Sequence, residues 1–158
     1  MNAYDARPNR LPWPPMIYLV AIVLAAALSW TVPLPWIPSP LSDILFAIGI
    51  VTIAGVVAID VSAMRTLHKA RTTIMPHRGS EHLVTGGPFS FTRNPIYLAN
   101  TMLTVAIGLI AGSVWFLAFA LAAAFATQKL AIEREEKHLE ARFGKKYRDY
   151  RKKVRRWI

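Results

Sequence analysis

The sequence predicts an all-α polytopic membrane protein with four transmembrane helices, the last two a tight helical hairpin, plus a cytosolic loop and a C-terminal cytosolic helical tail. Three observations carry this. More than half of the 158 residues are hydrophobic, and they lie in uncharged blocks near the ~20 residues that a bilayer span needs. Prolines and glycines punctuate those blocks. Apart from Lys129 at the end of the last block, all the Lys and Arg residues fall outside them.

A polar lead-in ends at Pro12-Trp13-Pro14-Pro15, with Trp13 and Tyr18 suited to an interfacial belt. The first span is expected over residues 16–32. Pro33, Pro35, Pro38 and Pro40 rule out a helix there and make an interfacial turn. Ser39 as N-cap and Pro40 at the first helical position open the second span, over 41–61. Asp43 and Asp60 mark its two ends. Residues 62–95 form a polar loop. Asn94, held out of the α region by Pro95, reads as the next N-cap. The long apolar stretch beyond it holds Gly108, Gly112 and Ser113 near its middle. It therefore reads as a hairpin with arms 96–111 and 114–130, and Gly108 and Gly112 let the helices pack closely. The charged tail covers 131–158, with a helix running to Phe143 and a break at Gly144.

Charge sets the topology. The N-terminal segment carries two Lys/Arg, the 62–95 loop five and the segment from Lys129 onward twelve. With four spans all nineteen lie on one side, so both termini and the loop are expected in the cytoplasm, at the plasma membrane in a bacterial cell. The basic tail suits anionic lipid headgroups, and nothing suggests a nucleic-acid module. No cleavable signal peptide is expected. The absence of cysteine excludes disulfides and thiolate metal sites, and His68, His77 and His82 lack zinc-site spacing.

The loop and the tail share a face of the membrane, so they can meet. Gly86-Gly87-Pro88 permits a sharp turn and close approach to a ligand. Arg93, near a helix N-terminus, favours anionic groups. In the tail, Ile132, Leu139 and Phe143 form an apolar stripe, and Glu135 and Glu136 fall beside it. The alternative is a solvated face with pairs such as Glu133–Lys137.

Several pieces of this sequence resemble one family when taken together. They are Glu81-His82-Leu83-Val84-Thr85-Gly86-Gly87-Pro88-Phe89, Arg93-Asn94-Pro95-Ile96-Tyr97, Glu135-Glu136-x-x-Leu139 and Phe143-Gly144-x-x-Tyr147-x-x-Tyr150. In order and spacing, over residues 62–158, they resemble the isoprenylcysteine carboxyl methyltransferase family, part of a wider group that includes the phospholipid methyltransferases. The resemblance implies an S-adenosylmethionine-dependent enzyme that methylates a lipophilic acceptor at the cytosolic membrane face. It assigns cofactor contacts to His82, Leu83, Val84, Gly87, Phe89, Asn94, Pro95, Tyr97 and Glu135, and catalytic roles to Arg93 and Glu136, with no metal. Glu136 or His82 would be the base for an amine acceptor. Two departures stand out. Asn94 replaces the family's usual histidine. Ala131 stands where the eukaryotic carboxyl methyltransferases carry an arginine for the substrate carboxylate. Competing readings are a phospholipid amine N-methyltransferase, a nicotinamide-dependent sterol-type reductase, and a non-enzymatic four-span scaffold with a lipid-binding tail.

Overall fold

The computed structural model describes residues 13–70 and 82–158, and among these every regular element is a helix. The order is α1 (Trp13–Thr31), α2 (Leu41–Lys69), a 3₁₀ turn (Gly87–Ser90), α3 (Pro95–Ala111), α4 (Val114–Thr127), a π-turn (Gln128–Ile132), α5 (Glu133–Phe143) and α6 (Lys145–Lys153). Pro14–Thr31, Leu41–Lys69 and Val114–Phe143 are long and apolar enough to cross a membrane. At 17 residues α3 is shorter, about 26 Å, against a hydrocarbon core of about 30 Å.

Several expected boundaries move. The first helix starts at Trp13 rather than Met16, because Pro14 and Pro15 sit in the first turn, where a missing N–H breaks no intrahelical bond. Residues 62–69 extend α2 rather than opening the loop. They contain no glycine or proline, and Ala63 and Leu67 continue the buried stripe begun by Gly49 and Val56. The connecting loop therefore begins at Ala70. Pro40, not Ser39, is the N-cap of α2; the Ser39 hydroxyl donates to the Asp43 carboxylate at 2.7 Å instead. The lead-in through Pro12, and Arg71, His77, Arg78 and Glu81 of the loop, lie outside the described residues.

The helices pack through small residues. α2 lies along α3, and α1 along α4. A Cβ on Gly49 would stand 2.7 Å from the Ile110 side chain, so the glycine is what lets these helices approach. The hairpin between α3 and α4 forms as expected. Gly112 ends α3 in the left-handed conformation at φ 64°, and a Cβ on Gly108 would lie 2.8 Å from Cβ of Phe116. Outward faces of α1 and α2, with Leu19, Val23, Ile44, Phe46 and Val51, remain exposed and apolar.

The π-turn sets the angular position of α5. The buried face of α4 carries Phe116, Ala120, Ala123 and Thr127. A five-residue step then reaches Ile132, also buried, and helical spacing leads on to Glu136, Leu139 and Phe143. The wider turn thus keeps the apolar stripe and Glu136 on the face that points into the molecule.

Candidate functional site

The site assembles where the loop, the first turn of α3 and the tail converge. Gly87 opens the 3₁₀ turn at φ 59°, and a Cβ there would lie 2.6 Å from Oγ1 of Thr66 on α2. Only glycine meets both demands. The turn is thereby seated on the last part of α2. Leu83 packs on the buried cluster Tyr147, Tyr150 and Val154, together with Leu139 and Phe143. The Tyr150 hydroxyl donates to the Phe89 carbonyl at 2.6 Å. Burial holds the Tyr150 phenol above the usual tyrosine value. Tyr147 is raised too, by burial first and then by the Glu136 charge.

Arg93 and Glu136 form the centre. Their side chains, 9% and 12% exposed, pair at 3.1 Å. Arg93 also donates to the Tyr147 hydroxyl at 3.2 Å, while its Nε is buried and makes no hydrogen bond. Arg156 closes on the other side of Glu136 with two bonds, Nε to Oε1 at 2.9 Å and Nη2 to Oε2 at 2.8 Å. That bidentate geometry is the strong form of a charge-assisted pair, and it holds the Arg156 pKa above its ordinary value. Both oxygens of Glu136 are thus occupied by guanidiniums.

The chain's last residues complete the junction. The Arg93 N–H donates to the Arg155 carbonyl at 3.0 Å. The Thr92 hydroxyl and the Asn94 side-chain amide both donate to the Arg156 carbonyl, at 3.2 and 2.8 Å. Asn94 is the N-cap of α3 by position, but its side chain makes no capping bond; it ties the loop to the tail. The Trp157 indole donates to Gln128 at 2.9 Å. One turn into α3, the Tyr97 hydroxyl donates to Glu135 at 2.7 Å.

The expected site residues thus distribute unevenly. Leu83, Phe89, Arg93, Asn94, Pro95, Tyr97, Glu135 and Glu136 gather at this junction. Gly87 shapes the turn beneath it. Val84 is half-buried, and His82 is exposed at the edge of the loop. Glu133 pairs with Lys129 at 2.7 Å, not with Lys137, and that bond lowers the Glu133 pKa. Ala131 is fully buried, while Lys129 and Arg134 are exposed. Sequence reasoning missed Arg156, Thr92 and Tyr147 as site residues. Tyr147 was marked by its spacing from Tyr150. Arg156 sits among basic neighbours that look the same in sequence. Among the described residues no three His, Asp or Glu side chains converge as a metal site.

Residues 44–146, well over half of the chain, match the family model described as phospholipid methyltransferase. The chain belongs to the phospholipid methyltransferase family. That match takes in nearly all of α2, the loop, α3, α4 and the acids of α5. Over 77 residues the chain is also 39% identical to the nickel-cobalt-cadmium resistance protein NccN of Alcaligenes xylosoxydans xylosoxydans, covering 49% of this chain and 36% of NccN. This phospholipid methyltransferase family member thus spans about a third of the length of that curated relative. No solved structure matches it.

Proposed function

We propose that this protein binds S-adenosylmethionine at the junction of loop and tail and transfers its methyl group to a lipophilic acceptor from the bilayer. The observation that carries the reading is the meeting of two acids of α5 with Arg93 and Tyr97, within a phospholipid methyltransferase family member. When bound, the cofactor supplies an electrophilic methyl on a sulfonium.

The residues fit that molecule in charge. Arg93 and Arg156 share Glu136, while Glu133, 4.0 Å from Arg156, is itself on Lys129. The cluster therefore carries one positive charge in excess, which suits a ligand carboxylate. Glu135, oriented by the Tyr97 hydroxyl, takes the ammonium. Pro95 and Asn94 fix the backbone beside it, and Leu83, Val84 and Phe89 supply apolar surface that excludes water. Methyl displacement needs alignment more than acid–base help, so Glu136, with both oxygens on guanidiniums, acts by holding Arg93 in place rather than by accepting a proton.

Four helices, α1 to α4, span the bilayer in this reading, with all Lys and Arg on the cytoplasmic side. The exposed Lys145, Lys146, Lys152 and Lys153 of α6 meet anionic headgroups. The acceptor reaches the site from the bilayer. Ala131 favours a phospholipid amine over a prenylcysteine carboxylate, because the carboxylate-binding arginine is replaced by a fully buried methyl. The exposed His82 is then the group placed to take the amine proton.

Equilibrium binding to the purified protein tests the cofactor. S-adenosylmethionine should bind while NADPH does not, and Glu135→Ala should weaken binding at least about tenfold. Undiminished binding by Glu135→Ala would remove the ammonium assignment, and preferential NADPH binding would overturn the methyltransferase reading. Membranes incubated with methyl-labelled cofactor then identify the acceptor.

A further inference from the structure

The first helix precedes the family-matched residues, and on sequence alone it is a membrane anchor. Its buried stripe holds one large polar residue. Tyr18 is 4% exposed, and its ring packs with Ala21 of α1 and Ala123 of α4. Its hydroxyl lies 2.6 Å from Oγ1 of Thr101 and donates to the Tyr97 carbonyl at 3.3 Å. Thr101 donates to the same carbonyl at 2.9 Å. A phenol buried among apolar helices keeps such bonds because losing them leaves an unsatisfied polar group.

What this cluster grips is the first turn of α3. No side chain caps it, since Asn94 is turned toward the Arg156 carbonyl, while Pro95 at the first position leaves one orphan N–H fewer to satisfy. Helix ends without caps fray. Yet this turn must hold Tyr97 so that its hydroxyl reaches Glu135 at 2.7 Å. The Tyr18 hydroxyl adds a tie from a neighbouring helix on the carbonyl side of this turn.

We infer that Tyr18 is a positioning residue for the cofactor site: through Thr101 and the Tyr97 carbonyl it fixes the Tyr97 hydroxyl that orients Glu135. This rests on the reading that Glu135 holds the cofactor's ammonium. It makes α1 part of the enzyme's binding apparatus, with no direct contact to the ligand.

The test uses the full chain in lipid nanodiscs. Tyr18→Phe should weaken S-adenosylmethionine binding about tenfold and raise its KM more than it lowers kcat, with an unchanged melting midpoint. In a Tyr97→Phe background, Tyr18→Phe should add nothing further, because the route to Glu135 is already cut. Binding equal to wild type, or effects that add in the double variant, would overturn the inference. A second measurement separates it from the cofactor reading. With 3-fluorotyrosine at position 97, Tyr18→Phe should shift the ¹⁹F resonance in the ligand-free protein. A shifted resonance in a protein that binds no S-adenosylmethionine keeps the role of Tyr18 and sinks the cofactor assignment. An unmoved resonance sinks the role of Tyr18.

Discussion

Helices α1 to α4 meet through alanines, glycines and threonines, whereas the loop, α5, α6 and the last residues meet through arginines, acids and tyrosines. In the helical bundle, contact depends on what is absent: no Cβ on Gly49 or Gly108. At the polar junction it depends on what is paired: Glu136 with Arg93 and Arg156, Tyr150 with Phe89, Asn94 with Arg156. Lipid is as apolar as a leucine side chain, so the bundle gains little from hiding hydrophobic groups and much from close packing. The junction is partly dry and charged, so each unmatched group there is costly.

The sharpest way to break that contrast is to remove Glu136. Glu136→Ala leaves Arg93 buried without its carboxylate and should cost about 3–5 kcal/mol, read as a large fall in melting temperature together with loss of methyl transfer. A melt within a degree of wild type would show that the junction is not held as described. Gly87→Ala should come next. It places a side chain at φ 59° and 2.6 Å from the Thr66 hydroxyl. The conformational part alone costs about 1–2 kcal/mol, and cofactor affinity should fall with it. Adding Thr66→Ala should relieve the clash but not the backbone strain, so recovery should be partial; full recovery would mean that the backbone conformation contributes nothing. In the bundle, Gly108→Ala forces the hairpin arms apart at Phe116 and should cost about 1–3 kcal/mol, measured by thermal unfolding in detergent, with cofactor binding little changed.

The smallest effect concerns alkaline pH. Tyr147 and Tyr150 have raised values in the folded protein. Their contribution is therefore complete below the ordinary tyrosine value of ~10. It is lost as pH rises above that, since the unfolded chain ionises first. The stability of α6, read by tyrosine fluorescence or circular dichroism, should start to fall as pH rises above ~10, before the bundle changes. Simultaneous loosening of both would show that they do not differ in this respect.

Much of this division was legible in the sequence. Prolines at 33, 35 and 38 keep the α1–α2 connection out of helix, Gly112 and Gly144 end helices through a conformation that other residues avoid, and Asn94-Pro95 starts one. These are local effects, so they survive without knowledge of partners. The end of α2 was not legible, because the polarity of residues 62–69 mimics a loop while their helical continuation depends on Ala63 and Leu67 packing inward. The π-turn was hidden for the same reason: no residue in Gln128–Ile132 demands it.

The sequence by itself determined the apolar helices, most of their breaks and, through the resemblance carried by its motif residues, the family. Only the tertiary structure decided which charges meet. Arg156 is one of many basic residues in the tail, and a pair with Glu136 twenty positions away depends on α6 folding back so that the final residues run alongside Thr92, Arg93 and Asn94. Tyr18 and Tyr97 come together likewise across 79 positions. Hydrogen bonds act over a few ångströms, and only packing brings such distant positions within that reach.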